Sequence, residues 1–415
     1  MRDLRPFRKA GTKNMIYFLP YMENIVYMDN NATTMAAPEA VEAMEPFFTR
    51  LYGNPSSMHE FGGQVAKSLT AAREEVASFI NADPDEIVFT SCATESDNAA
   101  IRGAAERLGP GAKIITTAVE HPAVLQCVRR LKAQGFETVE LPVGRDGSLD
   151  TARLRDELEN SPKALVTAMW ANNETGVIFP VGEIAEICRE HGATFHTDAV
   201  QAAGKLEIDV RKTPVDMLSV SGHKFHAPKG VGFLYVRRGA KFKPFMLGGH
   251  QESGRRAGTE NVPYIVALAK ACSLAREGMA DENRRLAAMR DRLEAGILAS
   301  CPDAIVNGAG APRLSNTLNV SFCYIEGEAI AYRLSDLGIC ISTGSACASG
   351  SLDPSHVIRA MGVPFIAVHG STRFSLSRYN TEKDVDYVLE KLPGVVKNLR
   401  ELSPFGPDTD PTTYK

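Results

Sequence analysis

None of the eight cysteines (Cys92, Cys127, Cys188, Cys272, Cys301, Cys323, Cys340 and Cys347) sits in a CxxC pair, and no Cys/His cluster has zinc spacing. That leaves no sequence case for a structural metal. Cysteines dispersed in this way point to a reducing compartment. No stretch approaches the roughly 18 consecutive apolar residues that span a bilayer, so no membrane association is expected. The basic start has only a short apolar patch, Met15 to Leu19. It lacks the longer apolar run and small-residue cleavage site of a secretory signal. We therefore expect a cytoplasmic protein with a loose N-terminal tail. Positive charge is not in excess either: 46 Lys and Arg stand against 50 Asp and Glu, a formal charge of −4. A nucleic-acid binder would show a basic excess or stripe. Internal repeats and low-complexity blocks are absent.

What remains is a composition of 44% hydrophobic and 23% charged residues over 415 positions, that of a soluble globular protein. The length suffices for one large α/β domain with a smaller one, and for a core without disulfides. After a short strand and polar turn at 25–34, helical periodicity covers 38–50 and 63–80. Strands at 86–91, 113–117, 164–169, 193–197, 217–219 and 230–237 mostly alternate with helices, which predicts a largely parallel sheet. A charged helix over 262–300 leads to a tail with strands in TLNVSF and STRFSL.

Seven motifs can carry chemistry. In Ser219-Val220-Ser221-Gly222-His223-Lys224, a lysine just past a strand can bond an aldehyde cofactor; it can equally be a solvated turn. Asp198, in HTDAVQ at the end of an apolar strand, can hold a pyridine nitrogen protonated, with Gln201 near a ring hydroxyl; its plainer role is a helix cap. Ala93-Thr94-Glu95-Ser96 lies between strand and helix, where backbone N–H groups bind phosphate. Thr94 and Asp97 also fit a capping box, and Cys92 reads as structural. His121 can stack on a planar ring or simply be packed. Asn173, in WANNETG, can bond a ring oxygen or substrate. Cys347 sits in the Gly/Ser-rich STGSACASGS, a loop that suits a thiol moving between two positions or merely holds a spare cysteine. Arg373, on a strand, can grip a carboxylate with two N–H groups or form an ordinary salt bridge. Together these supply a cofactor lysine, a ring carboxylate, a phosphate turn, a stacking histidine, a carboxylate clamp and a thiol.

DNNATT, GNPSS, ATESDN, EHPAVL, NNETG, HTDAVQ, SGHKFHAPKG, GGHQESGRRAGTEN, STGSACASGS and TRFSLSRY also resemble, in order, the cysteine desulfurases of the NifS/IscS group, most closely the NifS branch. The likeness runs from about Val26 to Pro404. It implies a pyridoxal-phosphate-dependent transferase of fold type I: a large domain with a mostly parallel seven-stranded sheet and a smaller α/β C-terminal domain. We expect a tail at 1–23, the large domain at 24–265, with its N-terminal segment contributing to the small domain, and the small domain, with the Cys347 loop, at 266–415. By resemblance, Lys224 is the Schiff-base lysine, His121 the stacking residue, Asp198 the partner of the ring nitrogen and Gln201 that of the ring hydroxyl. Asn173 contacts ring and substrate, and Arg373 holds the substrate carboxylate. Ala93, Thr94, Ser221, Gly222 and His223 hold the phosphate, with Thr259 contributed to the partner subunit of a homodimer. Cys347 carries the persulfide. The implied reaction turns L-cysteine into L-alanine and supplies sulfur to a NifU-like iron–sulfur scaffold, for nitrogenase in the NifS branch. No metal of the protein's own is expected, although Cys347 as a transient shared iron–sulfur ligand is part of the resemblance.

Overall fold

The computed structural model describes residues 25–161, 163–344 and 353–406. The expected N-terminal tail, the last nine residues and Cys347 with its loop lie outside the described residues.

The N-terminal stretch holds β1 (Val26–Tyr27), α1 (Pro38–Met44), α2 (Pro46–Thr49) and α3 (Glu60–Phe79). A βα alternation follows: β2 (Ile87–Thr90), α4 (Ala93–Leu108), β3 (Lys113–Thr117), α5 (Pro122–Ala133), β4 (Glu137–Leu141), α6 (Thr151–Glu159), β5 (Ala164–Thr167), α7 (Val181–Glu190), β6 (Thr194–Asp198), β7 (Met217–Ser221) and β8 (Gly232–Val236). These strands form one seven-stranded sheet in the order β2-β8-β7-β6-β5-β3-β4. Only β8 runs against the rest, antiparallel to both β2 and β7. The inner strands are buried on both faces. Their near-continuous apolar runs are what helices on two faces require. The edge strand β4 has mostly half-exposed or exposed residues, so the ETVEL segment carries no apolar run, and neither it nor α6 is legible from periodicity.

The helix α8 (Val262–Ser300) matches the predicted span. Its first half gives Ile265, Leu268 and Cys272 to the core around the large sheet. Its second half gives Leu286, Met289, Leu293 and Ile297 to a separate core. That second core lies between α8 and the elements β9 (Ala304–Val306), β10 (Thr317–Phe322), α9 (Gly327–Asp336), β11 (Ile339–Cys340), β12 (Ser371–Ser375) and α12 (Glu382–Leu402), whereas α10 (His356–Ala360) and α11 (Phe365–Val368) pack into the core around the large sheet. There β12, β10 and β9 form an antiparallel sheet. β1 pairs with β11, and Asp29 bridges to Ser375. The N-terminal segment is thus stitched to the C-terminal part, and residues 31–37 continue from there onto the large sheet.

Candidate active site

The carboxyl ends of parallel strands are where an open α/β sheet binds ligands, because loops and helix N-termini diverge there. Asp198 and Ser221 are the last residues of β6 and β7. Just past β2, Cys92 is extended and caps α4. Gly232 lets this turn close: a Cβ there would lie 2.4 Å from the Val220 carbonyl and 3.3 Å from the Cys92 backbone. The Ala93 and Thr94 end of α4 therefore opens at the sheet edge. The capping box expected from Thr94 and Asp97 does not form. Glu95 takes the Ser91 N–H instead, at 2.8 Å, and Asp97 is buried.

These elements enclose a cleft of about 850 Å³, measured out to its mouth. Ala93, Thr94, His121, Asn173, Asp198, Gln201, Ser221, His223, Lys224 and Arg373 all line it. Gly222 lies directly beneath, packed against Ala227 and Leu268. Thr259 is exposed and off this cleft. The cleft also draws in Asn31, Ala32, Cys92, Asp97, Met169, Ala171 and Val200. Of these, only Met169 lies outside the stretches singled out in the sequence, and the sequence assigns none of them a role in the site. Cys92, read from the sequence as structural, also lines the cleft.

Lys224 Nζ donates to the carbonyls of Asn31 and Ala32, each at 2.7 Å. Gln201 Nε2 donates to the same Asn31 carbonyl, and its Oε1 accepts from Lys205 Nζ at 3.2 Å. Asp198 Oδ1 accepts the Val200 N–H at 2.9 Å, so it caps the turn and faces the cleft at once. Burial pushes the Asp198 carboxyl up to about 6, against the pull of that N–H and of Lys224. The Val200 N–H and the facing Lys224 favour its ionised form. His121 accepts the Ala123 N–H on Nδ1, which places the ring proton on Nε2. Burial, Lys224 and His356 depress its pKa to about 4, so the ring is neutral. His223, depressed to about 4 by burial and neighbouring lysines, meets Thr33 Oγ1 at 3.1 Å.

Arg373 enters from β12. Its Nη1 donates to the Asn173 carbonyl at 2.9 Å and its Nη2 to Asp29 at 2.7 Å. The salt-bridge reading and the clamp reading thus coexist at one side chain. Beside it, Ser342 pairs with Arg373 through both backbone bonds. Gly344 lies against Glu174, which also accepts the Ser355 hydroxyl at 2.5 Å. His356 Nε2 meets the Glu120 carbonyl at 2.9 Å. Both stems of the segment that carries Cys347 are therefore fixed to the rim of the cleft.

The donor set fits a phosphorylated pyridine aldehyde. Ser221 Oγ is buried without a hydrogen-bond partner, beside the open N-terminus of α4, as a phosphate oxygen would require. A lysine and an anionic carboxylate, Asp198, stand across the same space. Among the described residues no group of three or more His, Cys, Asp or Glu could hold a metal ion, and no helix is long and apolar enough to cross a membrane.

Fold and site together define a pyridoxal-phosphate enzyme of the aminotransferase class-V family, whose model matches residues 26–388. Within that class the chain belongs to the cysteine desulfurases. It is 54% identical over 385 residues to a cysteine desulfurase of Trichormus azollae, covering 93% of this chain and 96% of the other. To the cysteine desulfurase NifS of Azotobacter vinelandii it is 52% identical over 391 residues, with 93% and 97% covered. Among solved structures, a NifS-like protein superposes with a TM-score of 0.85 at 38% identity over 91% of this chain and all of that one. SspA in complex with cysteine gives 0.75 at 34% identity, over 86% and 99% of the two chains.

Proposed function

We propose that the protein converts L-cysteine to L-alanine and leaves the sulfur as a persulfide on Cys347. The observation that carries this reading is the convergence of Lys224, Asp198 and Arg373 on one cleft, with both stems of the Cys347 segment at its rim. Pyridoxal phosphate, when bound, supplies an aldehyde that bonds amines and a cationic ring that draws electrons from the substrate α-carbon.

The residues divide the remaining work. Ala93, Thr94, Ser221, Gly222 and His223 hold the phosphate, and Thr259, exposed and off its own cleft, serves the partner's site in a homodimer. Asp198 keeps the ring nitrogen protonated. Gln201, its amide orientation set by Lys205, meets the ring hydroxyl, and His121 stacks on the ring. Arg373 and Asn173 orient the substrate. Lys224 would hold the cofactor through its amine and, as the base of the site, would move the substrate α-proton; the Asn31 and Ala32 carbonyls mark where its ammonium rests. Cys347 follows Gly344 by three residues, at most about 10 Å of extended chain. Its thiolate attacks the substrate sulfur. The new S–S bond forms as the substrate Cβ–S bond breaks, and the carbon skeleton takes up protons to leave as alanine. Sulfur then passes to a NifU-like iron–sulfur scaffold, in nitrogenase supply, within the cytoplasm. The chain divides into a large domain at 24–265, whose N-terminal segment also contributes to the small one, and a small domain at 266–415.

The test is sulfide and alanine release from cysteine by purified holoenzyme. Cys347→Ser should keep the cofactor absorbance and release no sulfide; a fully active variant refutes the persulfide role. In Lys224→Ala, borohydride should no longer fix the cofactor to the chain.

A further inference from the structure

Asp97 is a cleft residue that the scheme above leaves idle. It projects inward from α4, is 1% exposed, and lines the cofactor cleft together with Asp198. Neither carboxylate oxygen has a hydrogen-bond partner among the described residues. Its one ionisable contact is His196 Nε2, 3.6 Å from Oδ1. That ring is already engaged, by Thr167 Oγ1 on Nδ1 and by Ser219 Oγ on Nε2, each at 2.9 Å. Burial drops the His196 pKa to about 3, so the ring is neutral and offers Asp97 no charge. The other groups that face Asp97 are Asp198 at the end of β6, Glu120 before α5, Cys92 before α4 and Ser219 on β7. None of these groups is a cation.

A buried carboxylate with no cation and no N–H cannot stay ionised at reasonable cost, and two carboxylates in one dry site do not both ionise. Asp198 has what Asp97 lacks, the Val200 N–H and a facing Lys224. The proton therefore resides on Asp97.

We propose that Asp97 is a positioning residue: a carboxylic acid kept protonated behind Asp198, its O–H turned toward Ser219 on β7, which leaves Asp198 the sole anion at the ring nitrogen. The chain of donors then runs one way. With the Asp97 O–H turned toward Ser219 Oγ, the Ser219 O–H is left for His196 Nε2 and the His196 Nδ1–H for Thr167 Oγ1. One tautomer of His196 is fixed and the floor under β6 is held rigid. The second half of the proposal rests on the reading of Asp198 as the ring-nitrogen partner.

The test uses holoenzyme and the variants Asp97→Asn and Asp97→Leu. The infrared difference spectrum, wild type minus Asp97→Asn at neutral pH, should contain the C=O stretch of a protonated carboxylic acid, shifted in heavy water. Asp97→Asn, a neutral donor of the same shape, should keep pyridoxal-phosphate affinity within about threefold and leave the pH dependence of the cofactor absorbance unchanged. Asp97→Leu, which breaks the donor chain, should weaken cofactor binding about tenfold or more. A wild-type spectrum without the protonated band overturns the proposal, as does an Asp97→Asn protein that loses cofactor as severely as Asp97→Leu. Should Asp97→Leu not fold, the infrared band and Asp97→Asn decide alone. If Asp198→Asn leaves the bound-cofactor absorbance untouched, the ring-nitrogen reading falls and takes the second half with it. The infrared band tests the protonation of Asp97 independently of that reading.

Discussion

Replacing Arg373 with leucine removes a guanidinium on which three separate stretches of chain meet. Arg373 is on β12, Asp29 is in the N-terminal segment, and Asn173 is in the turn after β5. The arginine side chain is 2% exposed and that of Asp29 19%. Breaking a buried pair from one side costs about 3–5 kcal/mol. Partial hydration of Asp29 lowers this, so we expect Arg373→Leu to destabilise the cofactor-free protein by about 2–4 kcal/mol. Asp29→Asn keeps the shape and one acceptor but loses the charge assistance, for about 1–2 kcal/mol. If the pair is what holds these segments, the double variant is less damaged than the sum by about 1–2 kcal/mol. Urea unfolding followed by two probes whose transitions coincide measures all three. Additivity within about 0.5 kcal/mol would refute the pair. The substrate gives a second reading. Asp29 and a bound cysteine carboxylate are like charges at one guanidinium, so Asp29→Asn should lower KM several-fold while Arg373→Leu raises it steeply. A higher KM in Asp29→Asn would contradict the clamp.

Other perturbations follow from single observations. Ser221→Ala deletes a buried hydroxyl with no partner; the apoprotein should melt no lower than wild type while cofactor Kd, from absorbance titration, rises about five- to tenfold. Gly232→Ala forces a Cβ against the Val220 carbonyl. It should cost about 1–3 kcal/mol in thermal unfolding and weaken cofactor binding by displacing the start of α4. Burial raises the Glu120 carboxyl from 4.5 to about 8. The folded chain then holds a proton that the unfolded chain has released. The stability this gives is fully present below 4.5 and lost as pH rises through about 8, because stability falls wherever the folded state binds more protons. Glu120→Gln should remove that loss. Its stability relative to wild type should climb as pH is raised across this window, and a flat difference would contradict a buried neutral acid.

The sequence by itself carried the alternation of strands and helices, the span of α8, and the placing of Lys224, Asp198 and Asn173 just past strands. Those features are written in short-range periodicity, since a strand buried on both faces must be apolar throughout. Motif order carried the family as well. Tertiary structure alone decided what depends on distant neighbours. It brought Asn31 and Ala32 to Lys224 and Arg373 to Asp29, pairs separated by some 190 to 340 positions. It also turned Asp97 from an apparent helix cap into a buried acid, and it placed β4 at a sheet edge, where half-exposed residues carry no apolar run. Local pattern records which way a side chain faces; which partner waits on that side, and how dry the space between them is, arises only when segments far apart in the chain pack together.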